Sequence, residues 1–181
     1  MPDRLFLGIP LPPAARDDLA AQLRRCFPRG LPGRAVPPEN WHLTVRFLGA
    51  TAPEAAERIR AELAAAPLGA SFHLTLRELG AFPRPARATV IWLGAHEGAE
   101  EMRRLAGSVG DALWRAGVAR EERPFAAHLT LARLPRPADV RQLVGAGGSP
   151  ALRLRIEEVV LYRSHLGHGP PRYEPMQRLP L

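Results

Sequence analysis

The chain spells nearly the same tetrad three times: His42-Leu43-Thr44-Val45, His73-Leu74-Thr75-Leu76 and His128-Leu129-Thr130-Leu131. The outer two begin 86 residues apart (128 − 42), close to half of the 181-residue chain. Two related halves would place equivalent strands at about that interval. The middle copy follows the first by 31 residues and precedes the last by 55, so it has no counterpart half a chain away. His73 is therefore expected to be structural or solvated. Each tetrad alternates polar and apolar residues, the pattern of a half-buried strand. Residues two apart on a strand share a face and lie roughly 6.5–7 Å apart. His42 thus projects with Thr44, and His128 with Thr130.

The rest of the chain mixes strands and helices. Strands are expected at 4–10, 41–49, 71–80, 88–94 and 126–134, with one or two over 151–164 and another in the tail from Arg172. Helical spacing of apolar residues predicts helices over 14–27, 52–66, 97–118 and 137–147. The Pro/Gly-rich segments 28–40 and 81–87 read as loops. No glycine-rich phosphate loop of the P-loop or dinucleotide type occurs, and no low-complexity linker separates independent domains. Residues 1–181 are expected to form a single bilobal domain.

Composition narrows the class. Hydrophobic residues make up 46%, enough for a buried core. The formal charge is +7, and all 25 basic residues are arginine. That usage reflects either a coding bias or a phosphate-rich partner, since the guanidinium fork matches phosphate oxygens. A pI near 11.2 is compatible with nucleic acid without identifying it. Cys26 is the only cysteine, so neither an internal disulfide nor a thiolate metal cluster can form. The first residues lack a signal-peptide core, and no run approaches the roughly 20 apolar residues of a membrane helix. A cytoplasmic protein without membrane attachment, acting as a single chain, is expected.

Paired His-x-Thr motifs suggest a particular chemistry. Displacement at phosphorus needs a base on the entering oxygen and an acid on the leaving one. Two imidazoles with ordinary pKa near 6.5 can do both without a metal. A hydroxyl beside each can donate to a non-bridging phosphate oxygen. One such motif is weak evidence, because threonine favours strands anyway. Two on facing strands would be specific. Arg46 and Arg133 are candidates for extra positive charge near a phosphate. Strand parity puts Arg46 on the face of His42 and Arg133 on the face opposite His128.

With these motifs in this context, the chain resembles the two-histidine (2H) phosphoesterase superfamily, and within it the RNA 2′,3′-cyclic phosphodiesterases, also called 2′-5′ RNA ligases. "RLFLGIPLP", "NWHLTVRFLG", "LTLRELGAFPRPARATVIWLG", "RPFAAHLTLAR" and "LYRSHLGHGPPRYEPMQRLPL" carry the likeness almost end to end. The resemblance implies an α+β fold: two pseudo-symmetric αβ lobes with antiparallel sheets flanking a central cleft. It implies His42 as proton donor and His128 as proton acceptor, with Thr44 and Thr130 on the phosphate. It further implies RNA 2′,3′-cyclic phosphate ends, or cyclic nucleotides, as substrates, with no cofactor, and ligation as the reverse reaction.

Other readings compete. A zinc-like site from His42, His73 and His128 has few carboxylates near it. His165 and His168, three apart in a glycine-rich turn, read as exposed loop histidines before they read as ligands. A non-catalytic RNA-binding module would use the arginines with Trp41, Phe47 and Phe125 to grip phosphate and stack a base. Trp41 is expected to close a core or shape a cleft wall. Trp92 and Trp114 are expected to pack in the core. Tyr162 and Ser164 are candidates to line a cleft. Glu54, Glu57, Glu62 and the charges of "AEEMRR" read as solvated helix faces.

Overall fold

Leu5, Leu7 and Ile9 of the first strand are buried in the hydrophobic core, while Phe6, also buried, packs outside it on the opposite face. The same alternation recurs in strand after strand, giving a sheet with one helix-covered side and one open side. The computed structural model describes residues 3–145, 149–167 and 169–181. Its strands are β1 (Asp3–Pro10), β2 (Arg34–Ala35), β3 (His42–Thr51), β4 (Phe72–Phe82), β5 (Ala88–Ala95), β6 (His128–Ala138), β7 (Leu152–Ile156), β8 (Glu158–His165) and β9 (Arg172–Pro180). The helices are α1 (Pro13–Cys26), α2 (Pro53–Ala64), α3 (Ala99–Arg115) and the short α4 (Arg141–Gly145).

The strands form one antiparallel sheet in the order β7-β4-β5-β6-β3-β1-β8-β9, with β2 also on β6. Read outward from the β6–β3 seam, each half repeats the other, so the lobes are pseudo-symmetric: β5 corresponds to β1, β4 to β8 and β7 to β9. The seam itself is narrow, with Leu43↔Leu129 its single registered pair. The chain does not fill the lobes in turn. It begins in the β1 half, builds the other half, and returns with β8 and β9. The lobes are further tied by α1, whose Gln22 side chain bonds both the C=O and the N–H of Ala151 beside β7.

The core lies between the sheet and the helices. Ile59 and Leu63 of α2 and Met102, Leu105, Val109 and Leu113 of α3 are almost fully buried in it. Burial of such side chains contributes about 1.5–3 kcal/mol each. Trp41 joins this core at 6% exposure.

Several boundaries differ from the sequence expectation for local reasons. β6 runs on to Ala138, because Pro135 and Pro137 suit an extended chain and not a helix. The expected helix over 137–147 therefore begins only at Arg141, after Asp139 accepts the Arg141 N–H at 3.0 Å; residues 146–148 lie outside the described set. The expected 28–40 loop contains β2. The 151–164 stretch is two strands that break at Glu157. Helix α3 stops at Arg115, followed by Gly117 at φ +89°, the left-handed conformation that ends many helices. Among the described residues, no helix is long and apolar enough to cross a membrane.

Candidate active site

The Leu43↔Leu129 pair fixes the relation between the two outer motifs. Extending that antiparallel register by one residue each way sets His42 across from Thr130 and Thr44 across from His128. The four side chains occupy the corners of a rectangle of roughly 5 by 7 Å on the open face, from the spacing of strands and of alternate residues. Leu43 and Leu129 point the other way and are 0% exposed. His42 and His128 are each partly buried.

Each imidazole is held in the same manner. His42 Nδ1 lies 2.8 Å from the Asn40 carbonyl oxygen, and His128 Nδ1 lies 2.8 Å from that of Ala126. A carbonyl only accepts, so Nδ1 carries the hydrogen in both rings. That leaves Nε2 of each ring to move a proton. Asn40 is itself tethered, its Nδ2 donating to the Pro171 carbonyl at 2.9 Å. Burial lowers the pKa of His42; the Asn40 bond opposes this, and the charges of Arg133 and His128 add to the lowering. Burial likewise lowers that of His128, opposed by the Ala126 bond and reinforced by Arg133. Both rings are thus biased to the neutral form.

A β-bulge follows each motif threonine. Gly8 pairs with Thr44 but Leu7 with Arg46, leaving Val45 as the extra residue. Trp92 pairs with Thr130 but Ile91 with Ala132, leaving Leu131 as the extra residue. Each bulge inverts the facing of the residues that follow it, as far as the next irregularity in the pairing. The strand-parity expectation is therefore corrected for both arginines. Arg46 pairs with core-facing Leu7 and points away from the open face; it donates to the Ala119 carbonyl at 2.6 Å and pairs with Glu121 at 3.1 Å. Arg133 pairs with Val90 on the open face, and its charge reaches both imidazoles.

Aromatic residues wall each histidine. Phe6 lies 4.9 Å from the His42 ring and stacks on Tyr162 at 5.1 Å; Tyr173 meets His42 edge-on at 5.1 Å. In the other lobe Phe82 meets His128 edge-on at 5.0 Å, and Trp92 lies 6.2 Å from it. Trp92 is thus on the open face and outside the core, correcting the core expectation: Ile91 and Leu93 take the buried parity. Its ring lies over two glycines, since a Cβ at Gly80 or Gly94 would come within 2.1 or 2.6 Å of it. Trp114 is also outside the core, 56% exposed with Arg120 over its ring at 5.4 Å. Phe6, Phe82 and Tyr173 escaped the sequence reading; the parity of Phe6 against Leu5 and Leu7 was the available signal.

The remaining candidates fall elsewhere. His73 is exposed on β4, opposite Arg155 of β7, three strands from His42. It cannot join His42 and His128 around one ion. Among the described residues no three His, Cys, Asp or Glu side chains converge to hold a metal. His165 pairs with Glu174 at 2.7 Å, and His168 lies outside the described residues. Tyr162 and Ser164 lie on β8 across from Pro175 and Tyr173 of β9. Phe125 packs against the core edge, and Phe47 is 69% exposed on the open face. Glu57, Glu62, Glu100 and Glu101 form surface pairs with Arg60, Arg115, Arg103 and Arg104.

Fold and site together define an internally duplicated, two-histidine protein, with one His-x-Thr pair delivered by each half to a common seam. The chain belongs to the LigT like phosphoesterase family, whose model matches residues 9–92 and again residues 93–173. Each match contains one of the two outer motifs, at His42 and at His128. The chain is 36% identical to the RNA 2′,3′-cyclic phosphodiesterase of Aeropyrum pernix over 80% of this chain and 84% of that protein. It is 33% identical to the RNA 2′,3′-cyclic phosphodiesterase of Escherichia coli (strain K12), over 98% of this chain and 96% of that one. The crystal structure of E. coli LigT complexed with 3′-AMP superposes with a TM-score of 0.81 at 30% identity, covering 100% of this chain and 99% of the other.

Proposed function

We propose that the protein hydrolyses the 2′,3′-cyclic phosphate of RNA ends or nucleotides to a 2′-phosphate, by two-histidine acid–base catalysis without a metal. The observation that carries this reading is the matched pair of carbonyl-anchored imidazoles facing one seam, each across from the other motif's threonine. His128 takes a proton from water as the new P–O bond forms. His42 gives a proton to the 3′-oxygen as its bond to phosphorus breaks. These two roles follow the family resemblance, since the lobes are nearly equivalent in geometry. Thr44 and Thr130 hold the non-bridging oxygens, and Arg133 balances the charge that spreads over them. Residues 1–181 act as one bilobal unit.

The chemistry demands one charged and one neutral imidazole, while both are biased to neutrality in the free protein. An arriving phosphate anion offsets the charge of Arg133 and favours protonation of the donor. With a 5′-hydroxyl in place of water as the nucleophile, the same displacement opens the cyclic phosphate onto a second RNA end, the 5′-oxygen losing its proton to His128 and the 3′-oxygen gaining one from His42. Water at ~55 M favours hydrolysis unless a bound RNA end competes. The test is incubation with a 2′,3′-cyclic mononucleotide in excess chelator, followed by identification of the phosphate isomer. Formation of the 2′-phosphate is expected. Binding without turnover would favour an RNA-binding module instead, and loss of activity in chelator would sink the metal-free mechanism.

A further inference from the structure

Arg34 of β2 is paired directly with Arg133 of β6. Residues so paired project from the same face of a sheet, so two guanidinium groups leave the open face side by side. Both residues are exposed, and neither has a carboxylate partner among the described residues. Like charges directly opposite one another destabilise a sheet. The fold nonetheless holds them in place. Gly33, at φ +87°, brings β2 so close to β6 that a Cβ there would lie 2.5 Å from the Arg133 carbonyl oxygen. One residue past β2, the Val36 N–H donates to the Leu131 carbonyl at 2.8 Å.

The two charges are placed differently with respect to the histidines. Arg133 acts on His42, His128 and the Tyr173 hydroxyl. Arg34 is not among the charges that bear on any of the three. It lies one strand over, about 5 Å away, outside the scissile position. A single strand of nucleic acid carries one charge per nucleotide at a comparable spacing. A free cyclic nucleotide carries no second phosphate for Arg34 to meet.

We propose that Arg34, held beside Arg133 by the β2–β6 pairing, binds the phosphodiester next to the terminal cyclic phosphate and so selects an RNA end over a free cyclic nucleotide. This rests on the phosphodiesterase reading and extends it to substrate class. One phosphate against each fork offsets their mutual repulsion with charge-assisted hydrogen bonds. Arg133 then serves the scissile group, and Arg34 the next group along the chain.

Fluorescence anisotropy with a 5′-labelled RNA trimer ending in a 3′-phosphate, at several salt concentrations, tests the assignment. Arg34→Gln is expected to weaken binding about three- to tenfold and to reduce the slope of log affinity on log salt by about 0.7. Arg34→Lys should keep the slope and recover part of the affinity. The ratio of kcat/KM for a cyclic-phosphate trimer to that for a cyclic mononucleotide should fall with Arg34→Gln by a similar factor. Unchanged affinity and slope would overturn the proposal, as would an equal loss on both substrates. An unchanged melting temperature shows that β2 is still seated. Failure of the native protein to turn over either substrate would sink the phosphodiesterase reading, while the anisotropy arm still decides the role of Arg34.

Discussion

Leu43 and Leu129 are direct cross-strand partners, both fully buried, and theirs is the one registered pair at the seam between the lobes. Everything on the open face is set by that pair, because the histidine and threonine flanking each leucine project to the opposite side. Truncating either leucine removes core contacts and loosens the seam together. Leu129→Ala is expected to cost about 2–5 kcal/mol in denaturant unfolding, and to reduce turnover in the surviving folded fraction. Lost stability with undiminished kcat would show that the seam does not position the histidines.

The imidazoles themselves are the most direct test. His42→Ala and His128→Ala should each lose at least ~10²-fold in kcat/KM, the usual worth of a positioned proton-transfer group. His73→Ala, on exposed β4, should turn over at close to the native rate. Full activity in the double variant of His42 and His128 would overturn the assignment.

The pH dependence has a defined sign. Burial first, then Arg133, lowers both histidines from their ordinary value of 6.5. The bell-shaped profile of kcat/KM, which reports the free enzyme, should therefore peak below about 6.5. Arg133→Gln removes one of the lowering influences, so both limbs should move to higher pH. A shift to lower pH, or none, would mean that this guanidinium does not face the histidines.

Arg46 and Arg133 should behave as opposites. Arg46 ties β3 to the Ala119 carbonyl and to Glu121. Arg46→Ala should therefore cost about 1.5–3 kcal/mol of stability, the scale of hydrogen bonds to charged groups, with kcat/KM little changed. Arg133→Gln should do the reverse. Parallel thermal unfolding and kinetics on the two variants would separate them.

Trp92 needs two bare positions beneath it. A methyl group at Gly80 would meet its ring at 2.1 Å. Gly80→Ala is expected to cost about 1–3 kcal/mol through overpacking, to alter tryptophan fluorescence, and to lower kcat by unseating the wall beside His128. A variant that folds, fluoresces and turns over like the native protein would show that the ring has room to move.

The lobes are not interchangeable, and the difference falls next to the bulges. Phe47 and Arg133 stand at corresponding places, each five residues after its motif histidine. One lobe therefore presents an exposed aromatic ring where the other presents a guanidinium. Among the described residues, the positive charge that acts on both histidines is that of Arg133, from the β6 side.

The repeated tetrads, their half-chain interval and the strand alternation within them were legible from the residues alone, because side-chain facing on a regular strand follows from local geometry. The same local rule assigned Arg46 and Arg133 to the wrong faces, because a bulge depends on what the neighbouring strand offers. Trp92 reads as core in an apolar run, yet its place was decided by Gly80 and Gly94, one of them across the sheet on another strand. The meeting of Arg34 with Arg133 is likewise absent from any local pattern, since the two lie 99 residues apart (133 − 34) and are joined only by backbone pairing. The chain's own sequence thus determined which strands carry imidazole and hydroxyl. Only the tertiary pairing decided which charges and rings stand beside them, because register and bulges arise from contacts between strands and cannot be read from either strand by itself.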